Sequence, residues 1–405
     1  MKFHTDHVEW AGCSLHDLIQ PSFSFLVGAA MAFSVASRKA RRHSILRMTL
    51  HATWRAGLLV WLGIFLRSIG QKQTNWIFTD TLSQIGLGYL FLFALSFFSS
   101  RWAWAAVIVI LVGYWATWAL HPLPADDFDF KNVGVPADWP HHFQGFMAHW
   151  NKNANIGAAF DQWFLNLFPR EKEHIFNRGG YSTLNFIPTL ATMILGLIAG
   201  RWLRQTQLPT AAAAGAGRPK SPVDPTIAPA ASDLPPAFSP SHQQYSPTAT
   251  RPMPRKTAGP RSRHAATMLL LVTGGVCMAA GWGLQELGVC PVVKRIWTPA
   301  WTLFSAGWCF AILGALFAAL DLRPNRALRG LVFPLLVIGA NSIVAYIIDH
   351  TVTGFIGDSF KTHLGPDVFK CFGDIYEATV RGAAVLVVVW LMLLWMYRQR
   401  VFVRI

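Results

Sequence analysis

The chain has 405 residues, 53% of them hydrophobic and only 14% charged, a balance outside the range of water-soluble domains. Apolar runs of about 20 residues, enough to cross a hydrocarbon core of roughly 30 Å, recur along most of its length. A secreted enzyme, a nucleic-acid binder and a soluble dehydrogenase are excluded as readings of the whole chain, and the formal charge of +15 has a membrane explanation.

About nine spans are expected, over residues 18–37, 50–66, 82–98, 102–120, 181–200, 265–287, 299–320, 331–349 and 380–397. Arg38, Lys39, Arg41, Arg42 and Arg47 follow the first span, and Arg201 and Arg204 the fifth. Arg323, Arg326 and Arg329 follow the seventh, and Arg398, Arg400 and Arg404 close the chain. If the spans alternate, all these loops share one side, which the positive-inside rule makes cytoplasmic, together with the C-terminus. The expected fold is an all-α polytopic transmembrane helix bundle in the inner (cytoplasmic) membrane. Its halves, 1–204 and 264–405, are joined by a Pro/Ala-rich cytoplasmic linker, 205–263. That linker has too few large apolar residues to offset its ordering entropy, so disorder is expected there.

Alternation puts residues 1–17 outside, with 121–180, 288–298 and 351–379. A chain beginning outside normally needs a helix to carry it there, so a further helix is expected upstream of Met1. In the outer segment Phe160, Trp163, Phe164 and Leu167 stand at i, i+3, i+4 and i+7, the spacing of a short amphipathic helix ending before Pro169. Trp139, Trp150 and Trp163 suit either sugar stacking or an interfacial aromatic belt. The five cysteines show no CxxC and the histidines no zinc spacing, so no metal site is expected. Cys290 and Cys371 both fall outside, where an oxidising compartment permits a bridge.

Chemistry concentrates near the start. His7 and Asp17 stand ten residues apart at the outer mouth of the first span, with Pro21 in its first turn. An ionisable group entering a bundle is costly unless it has a role. A histidine there can act as a general base near neutral pH, and an aspartate can orient its ring or hold a substrate. Taken alone, the pair reads equally well as a site or as a structural cap.

The run H-x-x-W-x-G-x-x-x-x-D-L-x-x-P-x-F-x-F-x-x-G, here His7, Trp10, Gly12, Asp17, Leu18, Pro21, Phe23, Phe25 and Gly28, resembles the signature of the heparan-alpha-glucosaminide N-acetyltransferase family and its bacterial relatives among transmembrane acyltransferases. Further similar segments follow in order at 82–89 (LSQIGLGY), 181–200, 291–301 (PVVKRIWTPAW) and 339–350 (GANSIVAYIIDH). The resemblance implies transfer of an acetyl group from cytoplasmic acetyl-CoA to the amino group of an amino sugar or glycan outside. It puts His7 at the position of the catalytic histidine and Asp17 at that of the acidic residue after it. The family's preceding helix, with its S-L-D-x-x-R-G type motif and an asparagine, has no counterpart in residues 1–405, and the family's Q-R reads Ser83-Gln84 here.

For such a transfer Asn341, a lone amide on an apolar span, is the candidate oxyanion donor, with helix-to-helix hydrogen bonding as its other reading. Trp10, Lys294 and His350, with Arg295 and Asp349 beside them, are the candidate acceptor-binding groups. A homo-oligomer is compatible with this reading. A competing class is a transporter or flippase for a sugar, lipid or acyl carrier without chemistry of its own. Broken helices at matching places in the two halves would favour it; no internal repeat is visible. An inactive remnant lacking its first helix is the third reading.

Overall fold

The computed structural model describes residues 6–125, 127–207, 262–322 and 326–403. The expected linker disorder concerns residues that lie almost wholly outside that set, as do Arg323 and Arg404. Thirteen α-helices and no strands occur among the described residues. They are α1 Ile19–Ala40, α2 Ile45–Ser68, α3 Thr81–Leu95, α4 Ser100–Ala119, α5 Ile156–Leu165, α6 Phe186–Gln205, α7 Arg263–Glu286, α8 Pro299–Phe317, α9 Arg326–Leu331, α10 Phe333–Ala340, α11 Ser342–Thr351, α12 Thr353–Leu364 and α13 Glu377–Arg398.

The chain is an all-α, multi-pass membrane protein. Seven helices (α1, α2, α4, α6, α7, α8 and α13) are long and apolar enough to cross a bilayer. Two of the nine expected spans depart from that form. The third is the 15-residue α3, and the eighth is the pair α10 and α11, bent by 82° at Asn341. Asn341 has φ −132° and ψ 43°, outside helical geometry, so the turn breaks where the sequence reads as continuous.

Helix α6 is the hub, buried along nearly its whole length. It crosses α1 through glycines. A Cβ on Gly28 would overlap the Met193 carbonyl, and one on Gly196 or Gly200 would overlap the carbonyl of Phe25 or Ala29. Such small residues let two backbones touch where lipid offers no hydrophobic drive for association. Helices α7 and α8 meet in the same way, Gly274 and Gly281 of α7 facing Gly307 and Ala300 of α8. Phe25, Met193, Leu197 and Phe310 fill the space between these pairs.

At the end where α1 begins, two loops are tied together. Ala11 bridges antiparallel to Val293, and Gly12 N donates to Val292 O at 2.9 Å. The turn before α8 is fixed from within. Thr298 Oγ1 accepts from Val293 N at 3.1 Å and donates to Pro291 O at 2.6 Å, while Trp297 adopts φ +46°. A buried tryptophan in the left-handed region is strained, and the network around Thr298 holds it there. The consequence is that Lys294 faces the N-terminal segment.

Segment 121–180 packs on this same end. In α5 the sequence-based apolar stripe is not the buried face: Gly157, Asp161 and Leu165 are buried, whereas Trp163 and Leu167 are exposed. Asp161 explains the rotation, since both its oxygens accept from Thr183 N, at 3.1 and 2.9 Å, and pin the helix to the start of α6. Cys290 is buried, Cys371 is exposed, and both are free.

Candidate functional site

Asp17 lies in a 3₁₀ turn, His16–Leu18, that leads into α1. It is fully buried, so its charge needs partners. It has five. Oδ2 accepts from Ser14 N at 3.0 Å, Ser14 Oγ at 2.9 Å and Val8 N at 3.3 Å. Oδ1 meets His7 Nδ1 at 2.7 Å and Lys294 Nζ at 3.3 Å. Lys294 Nζ is also 3.1 Å from His7 Nδ1.

One nitrogen cannot both donate to Asp17 and accept from Lys294. We assign a proton to His7 Nδ1, because its 2.7 Å contact to the carboxylate is the shorter and Lys294 has Asp17 Oδ1 as another acceptor. Lys294 then donates to Asp17, and His7 keeps Nε2 free as a lone pair. Burial, then the Lys294 charge, holds the imidazole below its ordinary pKa against the opposing pull of Asp17, so the ring is neutral at pH 7. Burial also lowers the Lys294 ammonium, with Asp17 opposing. The nearby Cys13 thiol is pushed by burial up to about 12, which removes it as a thiolate nucleophile.

His7 lines a cavity of about 800 Å³ with His16, Arg67, Tyr181, Lys294, Tyr346 and His350 among its walls. The His16 ring stands edge-on to His7, centroids 4.3 Å apart. His350 is held by Nδ1 donating to Tyr346 O at 3.0 Å. Asp349, on the preceding position of α11, lines the cavity too.

No family model matches the chain. No curated protein matches it significantly either.

Of the residues singled out in the sequence, His7, Lys294 and His350 line this cavity, and Asp17 is buried behind His7, hydrogen-bonded to it. Asn341 is not. Its Nδ2 donates to Val401 O and its Oδ1 accepts from Val403 N, both at 3.0 Å, so its amide anchors the C-terminal tail at the helix break. With both ends of its amide engaged, Asn341 is not an oxyanion donor to this cavity. Trp10 is also corrected: it is fully buried, its Nε1 donates to Trp150 O at 3.1 Å, and its ring packs over Gly180, whose φ is +74°. It holds segment 121–180 to the N-terminal loop instead of facing substrate. Arg295 likewise spends its guanidinium on Gly179 O at 2.8 Å.

A second charged cluster, in which Arg67 and Tyr346 of the cavity wall meet a carboxylate buried behind them, was not singled out in the sequence. Buried Asp80 caps α3 through Leu82 N at 3.0 Å, accepts from Arg67 Nε at 3.0 Å, and receives the Tyr346 hydroxyl at 3.1 Å. The signal was present: Arg67 and Asp80 flank apolar spans, where ionisable residues mark sites by default.

Proposed function

We propose that this protein is a transmembrane acyltransferase, moving an acetyl group from cytoplasmic acetyl-CoA to the amino group of an amino sugar or glycan on the other side. The observation that carries the reading is that His7, on the wall of a cavity large enough for a sugar, is hydrogen-bonded at 2.7 Å to the buried Asp17 behind it. The similarity of the His7 to Gly28 run to the N-acetyltransferase signature supports it.

In this reading His7 Nε2 takes a proton from the acceptor ammonium. The freed amine attacks the thioester carbonyl carbon, the C–N bond forms, the C–S bond breaks, and the thiolate leaves with the second amine proton. Asp17 holds the Nδ1–H tautomer and steadies the imidazolium, and Lys294 supplies positive charge beside the developing oxyanion. Nε2 serves equally if the acetyl group first resides on His7. The opposite end of the bundle fits a phosphate-bearing donor: Arg38, Lys39, Arg55, Arg201 and Arg204 make no ion pair with Asp or Glu among the described residues. The test is transfer of label from acetyl-CoA to an amino sugar, lost in His7→Ala.

The 82° break between α10 and α11 favours a second reading, a transporter, because broken helices at mid-membrane build transport sites. Uptake of unmodified sugar into proteoliposomes that continues in His7→Ala would select it.

A further inference from the structure

The His7 cavity has a neighbour. A groove of about 960 Å³ runs between the α10–α12 segment and one face of α13, and it shares two wall residues, Ala345 and Asp349, with the cavity. Its charged groups, Asp349, Asp374, Glu377 and Arg381, gather at one end. Beyond them the α13 face is apolar through Val385, Val389 and Leu393. From Glu377 to Leu393 is about 24 Å of helix at 1.5 Å per residue, most of a hydrocarbon core.

The charges at the shared end are unequal. Glu377 is paired with Lys361 at 2.8 Å, Asp374 with Lys370 at 3.3 Å, and Arg381 with Asp358 at 3.3 Å. Asp349 has no lysine or arginine partner among the described residues, only His350 at 3.9 Å, and it stands at the seam between the polar cavity and the apolar groove. A carboxylate there suits an ammonium group and repels a phosphate.

We propose that the acceptor is an amphiphile, an amine-bearing glycolipid, whose sugar occupies the His7 cavity and whose hydrocarbon chain lies in the α13 groove. Asp349 receives its ammonium on the way to His7. The proposal rests on the acyltransferase reading for its chemistry, but the occupancy of the groove is measurable without turnover.

The experiment uses the full chain in lipid nanodiscs with an octyl 2-amino-2-deoxyglucoside carrying a photoreactive group on its chain. Crosslinks are mapped by mass spectrometry, and transfer of labelled acetyl from acetyl-CoA is measured in parallel on methyl and octyl aminoglucosides. The expected result is crosslinking on the Val385 to Leu393 face, displaced by unlabelled octyl aminoglucoside and not by the octyl glucoside lacking the amine. With acceptor concentrations referred to the amount in the bilayer, so that the roughly fourfold per methylene of simple partitioning from water cancels, the octyl acceptor should still show the lower KM. A Cβ on Gly382 or Gly354, both on the groove wall, meets open space. Gly382→Leu and, independently, Gly354→Leu should therefore fill the groove, abolish the crosslink and erase the chain-length preference. Asp349→Asn should erase the preference for the amine. Crosslinking displaced equally by the amine-free lipid means that the groove holds bulk lipid only and overturns the proposal, as does equal KM for the methyl and octyl acceptors. Amine-selective crosslinking without any acetyl transfer would remove the acyltransferase reading and leave the amphiphile site standing.

Discussion

His7 Nδ1 lies 2.7 Å from Asp17 Oδ1, and the two residues are held together by Lys294, which approaches from a turn 277 positions after Asp17 (294 − 17). The contact depends on the antiparallel bridge between Ala11 and Val293. The catalysis proposed for His7 is thereby tied to the packing of two distant loops. Asp17→Asn should keep the shape of the site and lose its tautomer control, lowering the transfer rate by about 10³ to 10⁴. Far-UV circular dichroism of the variant should remain that of wild type, and a rate within about tenfold of wild type would remove Asp17 from the mechanism.

The pH profile should carry the signature of His7. Its pKa is held below the ordinary imidazole value by burial and by Lys294. The neutral, proton-accepting form therefore survives to lower pH than for a free histidine. The ascending limb of kcat/KM is expected below the usual imidazole range, and Lys294→Met should shift it upward by removing the neighbouring charge. A limb unchanged by that substitution would contradict the assignment.

The contribution of Asp161 to stability should fall as pH rises through about 6, because burial raises its carboxyl to about that value. A folded-state pKa above the unfolded one gives stability that is fully present below the ordinary carboxylate range and is lost as pH passes the folded value. In thermal unfolding in detergent, Asp161→Asn should gain melting temperature relative to wild type on going from pH 5 to pH 7.5, and an equal pH response in both would contradict the assignment.

Gly28→Ala should be among the most damaging small substitutions. The added methyl would overlap the Met193 carbonyl, and backbone cannot step aside as a side chain can. Overpacking at such a crossing costs about 1–3 kcal/mol or more. The same change at Gly57 in α2, where nothing lies within 4 Å, is the control and should leave the melting temperature unchanged or raise it.

Tyr346→Phe should loosen α11 from the cavity. The hydroxyl reaches both oxygens of Asp80 at 3.1 Å, and a hydrogen bond to a charged group contributes about 1.5–3 kcal/mol. Proteolysis of the α10–α12 segment should quicken while α1 to α6 stay protected.

The helical bundle was legible because long apolar runs permit little else in lipid. What the runs could not show was the break at Asn341, since hydropathy is blind to a backbone that turns within an apolar stretch. Asp17 was legible because a carboxylate at the mouth of a span is costly without partners. Asn341 and Trp10 misled for one reason: a buried polar atom needs a partner, and in both cases a main-chain carbonyl in this chain supplies it. Asp80, Arg67 and Tyr346 needed the fold, because their meeting joins α2, the loop before α3, and α11.

The most direct measurement is acetyl transfer in sealed proteoliposomes, with labelled acetyl-CoA on one side and a panel of amino sugars and alkyl aminoglucosides of increasing chain length on the other. Wild type should place label on an acceptor amine across the membrane, and His7→Ala should reduce that rate by about 10² to 10⁴ while folding normally. Transfer that persists undiminished in His7→Ala, or label that never appears on any acceptor while unmodified sugar crosses the membrane, would contradict catalysis at His7.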